Sequence, residues 1–286
     1  MTKKKAAKRR GRWPVFAAVL ALLCLWFFWQ QESITTETYL VRSEEIPESF
    51  DGLRIAQLSD LHGKEFGEDN ARLLAAVAEL EPDLIAMTGD MIDRLEQYEM
   101  LPALAQGLAD IAPTYYVTGN HEWAVREMSE LKELMEENGV TVFTNEYVTL
   151  ERDEQTIVLS GLDDPNGPAD QKTGAELRAE IISEVGEDVY TILLSHRDSV
   201  EEYAPWGYNL VLCGHGHGGI FRIPILDKGV LSTGRTLFPE YDGGMYEMGE
   251  NDWCVISRGL GSNTVPIRAF RLFNRPEIPL IILSAE

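Results

Sequence analysis

All five histidines of this 286-residue chain stand at the ends of apolar runs. His62 follows residues 53–59, His121 follows 114–118, His196 follows 189–195, and His215 and His217 follow 210–213. Short runs of this kind, too brief for helices and rich in aliphatic side chains, read as buried strands. A sheet delivers the residues that follow its strands to one edge. Further strand candidates are 39–41, 84–88, 140–144, 147–151, 156–161, 230–233, 245–247, 253–257, 267–272 and 280–283. Helical spacing marks 70–80, 95–111, 126–138 and 174–185, with Asn70 placed to cap the first and Asn138-Gly139 to end the third. Early β-α-β alternation followed by strand-rich sequence predicts an α/β domain of two packed sheets with helices outside. The 44% hydrophobic content is enough for a sizeable core and excludes a wholly disordered chain.

The residues beside the histidines are metal-ligand types. The segments are Asp60-Leu61-His62, Gly89-Asp90, Gly119-Asn120-His121-Glu122, His196 and Gly214-His215-Gly216-His217. Asp60 and His62, and likewise His215 and His217, are two apart, so an extended backbone would point both members of a pair to one side. Gly214 and Gly216 remove bulk and would permit positive φ. Carboxylate, amide oxygen and imidazole suit divalent Mn, Fe or Zn. With three cysteines (Cys24, Cys213, Cys254), a disulfide scaffold and a thiolate zinc site are both excluded. Cys213 and Cys254 read as buried and reduced. Seven candidate ligands are too many for one tetrahedral ion and suit two ions sharing a carboxylate.

Charge divides the chain. Residues 1–12 hold seven of the 25 basic residues and no acid, leaving 18 basic against 47 acidic residues in the remainder. An acidic body argues against a nucleic-acid partner. After the basic tail comes an uncharged run of 17 residues, 13–29, with tryptophan at both ends. As a helix it spans about 25 Å, near the lower limit for crossing a bilayer. A cleaved signal peptide shares this pattern, but no small-x-small site follows it; Gln30, Gln31 and Glu32 come next, so an uncleaved signal-anchor is expected. The basic tail belongs in the cytoplasm, which places the body outside a cell membrane crossed once. Arg9-Arg10 inside the basic cluster is a weak twin-arginine signal. Residues 30–50 are expected to be a stalk and lead-in, and residues 51–286 one domain, acting as a monomer.

The ordered set D-x-H, G-D, G-N-H-E, H, G-H-x-H resembles the calcineurin-like metallophosphoesterase superfamily over roughly residues 53–283. With the N-terminal anchor and the ending Asn274-Arg275-Pro276-Glu277-Ile278, the chain is similar to the membrane-anchored bacterial branch, which includes phosphodiesterases and UDP-2,3-diacylglucosamine hydrolases. The resemblance implies a four-layer sandwich of two mixed sheets flanked by helices. It also implies that Asp60, His62 and His217 bind one metal, that Asn120, His196 and His215 bind the other, and that Asp90 bridges them. His121 would stay off the metals and face the substrate. Asp93 occupies the position at which purple acid phosphatases carry Tyr, which argues against a Tyr–iron site.

Such a pair of ions, Mn²⁺ foremost with Fe²⁺ or Zn²⁺ as alternatives, clamps a phosphate and lowers the pKa of bound water towards about 7, making a bridging hydroxide available. His121 would protonate the leaving alkoxide, and Glu122 would orient its neighbours by hydrogen bonds. Arg258, Arg268 and Arg275 are expected in surface or ion-pair roles, and Asp163-Asp164-Pro165 as a turn. The expected activity is phosphodiester hydrolysis at the outer membrane face, on a substrate that could be lipid- or nucleotide-linked. Two alternatives stand beside it. One is a UDP-2,3-diacylglucosamine pyrophosphatase, whose substrate is made on the opposite side of the membrane. The other is a scaffold that binds metal without catalysis.

Overall fold

The computed structural model describes residues 13–125, 127–262 and 270–286. In chain order these form α1 (Trp13–Glu32), β1 (Thr35–Arg42), β2 (Arg54–Leu58), α2 (Ala71–Ala78), β3 (Leu84–Thr88), α3 (Leu101–Ala109), β4 (Thr114–Val117), α4 (Asn120–Val125), α5 (Met128–Glu137) and β5 (Val140–Val142). There follow β6 (Glu146–Arg152), β7 (Gln155–Gly161), α6 (Gly174–Glu184), β8 (Tyr190–Leu194), α7 (Val200–Tyr203) and β9 (Leu210–Cys213). The chain closes with β10 (Arg222–Ile223), β11 (Lys228–Gly229), β12 (Gly244–Gly249), β13 (Asp252–Ile256) and β14 (Glu277–Ser284).

Two mixed six-stranded sheets, ordered β1-β14-β2-β3-β4-β5 and β12-β13-β9-β8-β7-β6, pack face to face. Ile55, Ala86, Val117 and Ile281 of the first meet Ile157, Ile192, Leu212 and Val255 of the second in a shared core. The alternate side chains Ala56, Leu58, Ile85 and Met87 turn outward onto Leu73, Leu104, Leu108 and Leu131 of the helices over the first sheet. Leu193, Val211 and Ile256 do the same beneath Leu177 and Ile181 of α6. Both faces of the central strands are therefore buried, which is why they read as continuous apolar runs. The result is the four-layer α/β sandwich expected above.

Several elements differ from the expectation. Residues 95–111 form a 3-10 turn (Leu95–Met100) and then α3, because Pro102 lacks an N–H and is tolerated only in a first helical turn. Asn70 does not cap α2. Its backbone is left-handed (φ 58°), and its side chain accepts instead from Phe66 N at 3.0 Å. Residues 230–233 supply only an isolated bridge, Leu231 to Leu237; of the expected strand 267–272, residues 267–269 lie outside the described residues and Leu272 bridges Phe221. The lead-in segment is longer in strand than 39–41. All of β1 pairs in parallel with β14, from Thr35 opposite Glu277 to Arg42 opposite Ser284, with Tyr39 and Val41 buried. The basic tail, 1–12, lies outside the described residues.

Candidate metal centre

Five strands end at one edge of the sandwich. Asp60 and His62 follow β2, Asp90 follows β3, Asn120 and His121 follow β4, His196 follows β8, and His215 and His217 follow β9. Nε2 of His62 lies 3.0 Å from Nε2 of His217, which is 3.4 Å from Oδ1 of Asp60. On the other side Nε2 of His196 lies 3.1 Å from Nδ1 of His215 and 3.2 Å from Oδ2 of Asp90. The same Asp90 oxygen is 3.8 Å from Nε2 of His62, so it stands between the two groups. The structure thus brings the sequence-derived candidates together, with donor atoms of each group within 4.8 Å of one another for Asp60, His62 and His217 and for Asp90, His196 and His215. Asn120 completes the set: its Oδ1 is buried and has no hydrogen-bond partner. An orphaned buried carbonyl is costly unless a cation or water meets it, which fits the amide to a metal.

The side chains converge by a different route from the one expected. Asp60, His62, Asp90, His215 and His217 all have left-handed backbone, with φ between 49° and 66°, whereas Gly214 and Gly216 do not. The strained conformation falls on the candidate ligand positions themselves, at about 1–3 kcal/mol each, and the surrounding hydrogen bonds hold it. The glycines act by allowing close approach. A Cβ on Gly214 would sit 1.9 Å from Ser59 Oγ and 2.3 Å from Asp60 Oδ2; one on Gly119 would sit 2.2 Å from Asp90 Oδ1.

A second ring of contacts fixes several of the donors. His196 Nδ1 donates to the Thr88 carbonyl at 2.9 Å, leaving Nε2 for the centre. Asp90 Oδ1 accepts from His121 N at 2.9 Å, which frees Oδ2. Asp60 accepts from Ser59 Oγ at 2.7 Å and from His215 N at 3.0 Å, tying β2 to the β9 loop. Glu122 has the orienting role expected for it: fully buried, it accepts from Asp90 N at 3.0 Å, Met91 N at 2.5 Å and Gly119 N at 2.8 Å. In Glu122→Gln the amide NH₂ must face at least one of these N–H groups. The expected loss is about 1–3 kcal/mol of stability for each unmatched donor, measurable by urea melts of metal-free protein.

Two side chains escaped the sequence reading. Asp93 Oδ1 accepts from Nδ1 of His62 at 2.5 Å and from Nδ1 of His121 at 2.8 Å, so one carboxylate orients a candidate ligand and the candidate catalytic histidine. Its place three residues after Asp90 on the same loop was the available signal. Arg197 chelates the buried Asp164 through Nε at 2.5 Å and Nη2 at 2.9 Å, and its Nη1 lies 3.3 Å from Nε2 of His215. The Asp163-Asp164 turn is therefore also an anchor for cations, Asp163 pairing with Lys132 at 2.9 Å. Arg258 pairs with Glu277 and Glu37, and Arg275 binds Ser33; Arg268 lies outside the described residues. Cys213 and Cys254 are buried and free.

Electrostatics follow the same division at five groups and oppose it at two: burial raises Asp60, and against burial the Asp90 charge pushes His196 up to about 10. Against the cost of burial, the charge and hydrogen bond of His196 hold the Asp90 carboxyl well below the ordinary range. Burial and the charge of His196 push His215 well down, and burial and His62 do so for His217, favouring the neutral imidazoles that ligate metals. Burial opposes protonation of His121, but its hydrogen bond to Asp93 and the charge of Asp90 raise its pKa above the ordinary value. Asp93 is also desolvated, yet His121 and His62 bring it down to about 2.

The sequence profile of the calcineurin-like phosphoesterase family matches residues 53–219. This chain belongs to that family. It is 30% identical to metallophosphoesterase YkuE of Bacillus subtilis over 88% of its own length and 86% of that protein. Over 84% of its length it is 29% identical to a transmembrane protein with a metallophosphoesterase domain from Danio rerio, of which it covers 55%. Phosphodiesterase YaeI of Escherichia coli is 28% identical over 80% of this chain and 82% of that one. The chain is a metal-dependent phosphoester hydrolase, and its clustered donors are candidate ligands for divalent metal.

Proposed function

We propose that this chain is a phosphodiesterase with a two-metal centre, held on the outer face of a membrane by α1. The observation that carries the reading is the pairing of two donor groups across Asp90 Oδ2; Oδ1 of Asn120, the residue before His121, is buried and orphaned. Asp60, His62 and His217 would hold one ion, and Asn120, His196 and His215 the other, with Asp90 shared. Two divalent ions in such a site, Mn²⁺ being our first choice, supply an activated water and positive charge for the phosphoryl oxygens.

The chain's own residues do the rest. His121 is 26% exposed at the side chain, and Asp93 holds its Nδ1, so Nε2, 3.9 Å from Asp90 Oδ2, is the nitrogen left for a substrate. It carries the proton that the leaving oxygen takes. Asp93 keeps that imidazole in one orientation and one tautomer. YaeI, named a phosphodiesterase, supports the choice of a diester.

The anchor rests on α1, whose 20 residues cover about 30 Å, the thickness of a hydrocarbon core. Its apolar side chains are exposed, among them Val15, Phe16, Leu22 and Leu25. A relative named as a transmembrane protein agrees with this. The basic residues of the tail orient the body outward.

The test compares bis-p-nitrophenyl phosphate with p-nitrophenyl phosphate. Metal-free protein is expected to be inactive, and Mn²⁺ to restore diester hydrolysis at a higher kcat/KM than monoester hydrolysis. A higher kcat/KM for the monoester would refute the diesterase assignment.

A further inference from the structure

We infer that the edge bearing the metal centre is the edge that faces the bilayer, and that residues 220–239 make a second contact with it, so that the enzyme takes phosphoesters held at the lipid–water interface. This rests on the anchored-hydrolase reading above.

Strand directions supply the first argument. β2 runs towards Asp60, and β14 runs against it, with Leu280 opposite Ala56 and Ile282 opposite Arg54. β14 therefore begins, at Glu277, on the Asp60 side of the sheet. β1 is parallel to β14 and starts at Thr35 opposite Glu277. The helix α1 ends at Glu32, three residues earlier, so it leaves the domain at the same edge as the ligands.

Contacts at the helix end make this a fixed joint. Lys64, two residues after His62, donates to the Gln31 carbonyl and pairs with Glu32 at 3.4 Å. Gln31 Nε2 donates to the Arg271 carbonyl at 2.6 Å, and Arg271 N returns a bond to Gln31 Oε1 at 3.0 Å. Phe273 N donates to Gln30 Oε1 at 2.9 Å, and its ring packs on Trp26 at 5.0 Å. The same strip reaches the centre, since Asn274 Nδ2 donates to the carbonyl of His217 at 2.7 Å. An anchor so bonded holds the domain at one height and one orientation.

The loops that follow His217 expose large apolar side chains. Ile225 is 94% exposed, Leu226 70%, Leu237 66% and Phe238 55%. Arg222 N donates to the Leu272 carbonyl at 3.0 Å, and Phe238 N to Val230 O at 2.9 Å, so these loops are stitched to the strip that docks α1. Phe270 and Phe273, also half exposed, pack on Phe27 and Trp26, so apolar surface runs from the anchor onto the domain. Clusters of exposed apolar side chains mark interaction sites. Continuity with the anchor selects lipid as the occupant. The body is too acidic for electrostatic attraction to anionic headgroups, so apolar insertion has to carry the contact.

The test uses the full chain in phosphatidylcholine–phosphatidylglycerol vesicles with nitroxide labels. A label on native Cys24 reads the helix. Labels on Ile225→Cys and Phe238→Cys, each in a Cys24→Ser background, read the loops; Cys213 and Cys254 are buried. All three labels are expected to collide with oxygen and to be shielded from a water-soluble nickel chelate. If the Cys24 label is shielded and both loop labels are open to nickel, this inference fails while the anchor stands. A Cys24 label open to nickel removes the anchor reading itself. Spin–spin broadening between loop labels without oxygen access means that a second copy covers the patch, which also overturns the inference. In the Ile225→Asp/Leu226→Asp variant, hydrolysis of an alkyl p-nitrophenyl phosphate dispersed in the vesicles should fall at least about fivefold, with soluble bis-p-nitrophenyl phosphate unaffected. Equal losses on both, or none on either, would count against it.

Discussion

Asp90→Ala is expected to remove bound metal and hydrolysis together. The carboxylate is fully buried, and its two oxygens have separate tasks: Oδ1 accepts from His121 N at 2.9 Å, and Oδ2 stands 3.2 Å from His196 and 3.8 Å from His62. Alanine would leave four imidazoles facing each other in pairs without the negative charge that lets two cations share the space. Losing a residue that merely orients a ligand costs about 10–100-fold in metal affinity, so losing a shared ligand should exceed ~100-fold. Activity should fall by at least about 10³-fold, since charge stabilisation by such ions is worth several kcal/mol and each 1.36 kcal/mol is tenfold. Elemental analysis after gel filtration measures the first effect, and bis-p-nitrophenyl phosphate turnover the second. Asp90→Asn separates charge from shape: it keeps an oxygen in place and should bind one ion weakly. Full occupancy in the alanine variant would refute the bridging role.

The sequence showed which strands carry the centre because those strands are buried on both faces. The apolar runs 84–88 and 210–213 coincide with β3 and β9 to the residue. Peripheral structure was harder to read. Residues 230–239 make a bridge and turns with exposed side chains, and no periodicity distinguishes such a segment from a strand. α4 is six residues long and begins on Asn120, so it offers too few positions for a helical pattern. Ligand identity could be read from residue type, but ligand conformation could not. Aspartate and histidine tolerate the left-handed region better than most residues, and nothing in Asp60-Leu61-His62 announces that both aspartate and histidine occupy it. Asp93 was missed for a related reason: its contacts with His62 and His121 join three separate segments, and its spacing from Asp90 does not announce that convergence.

His121→Ala should leave both metals bound and lose about 10²–10⁴-fold in rate on diesters with poor leaving groups. Among the described residues the chain has four histidines whose ring nitrogens pair with each other across the centre; His121 is the fifth, and its nearest carboxylate contact is Asp93 at 2.8 Å. Its Nε2 is 3.9 Å from Asp90 Oδ2, farther than that of His196 at 3.2 Å. Burial lowers the imidazole's pKa, but the Asp93 hydrogen bond and the Asp90 charge outweigh it and raise the pKa above its ordinary value. A proton held there matters in proportion to how badly the leaving oxygen needs it. Nitrophenolate leaves readily as an anion, so a chromogenic diester should lose little. An alkoxide does not, so alkyl diesters should carry nearly the whole deficit. The measurement is kcat/KM for wild type and variant across diesters of rising leaving-group pKa, with metal content checked in each preparation. A steeper dependence in the variant supports proton donation by His121. Asp93→Asn provides the intermediate case: an amide oxygen can still accept from Nδ1, but the negative charge that stabilises the protonated imidazole is gone, so its slope should fall between the two. Parallel slopes in all three proteins would assign His121 a binding role and leave the leaving group's proton to come from solvent.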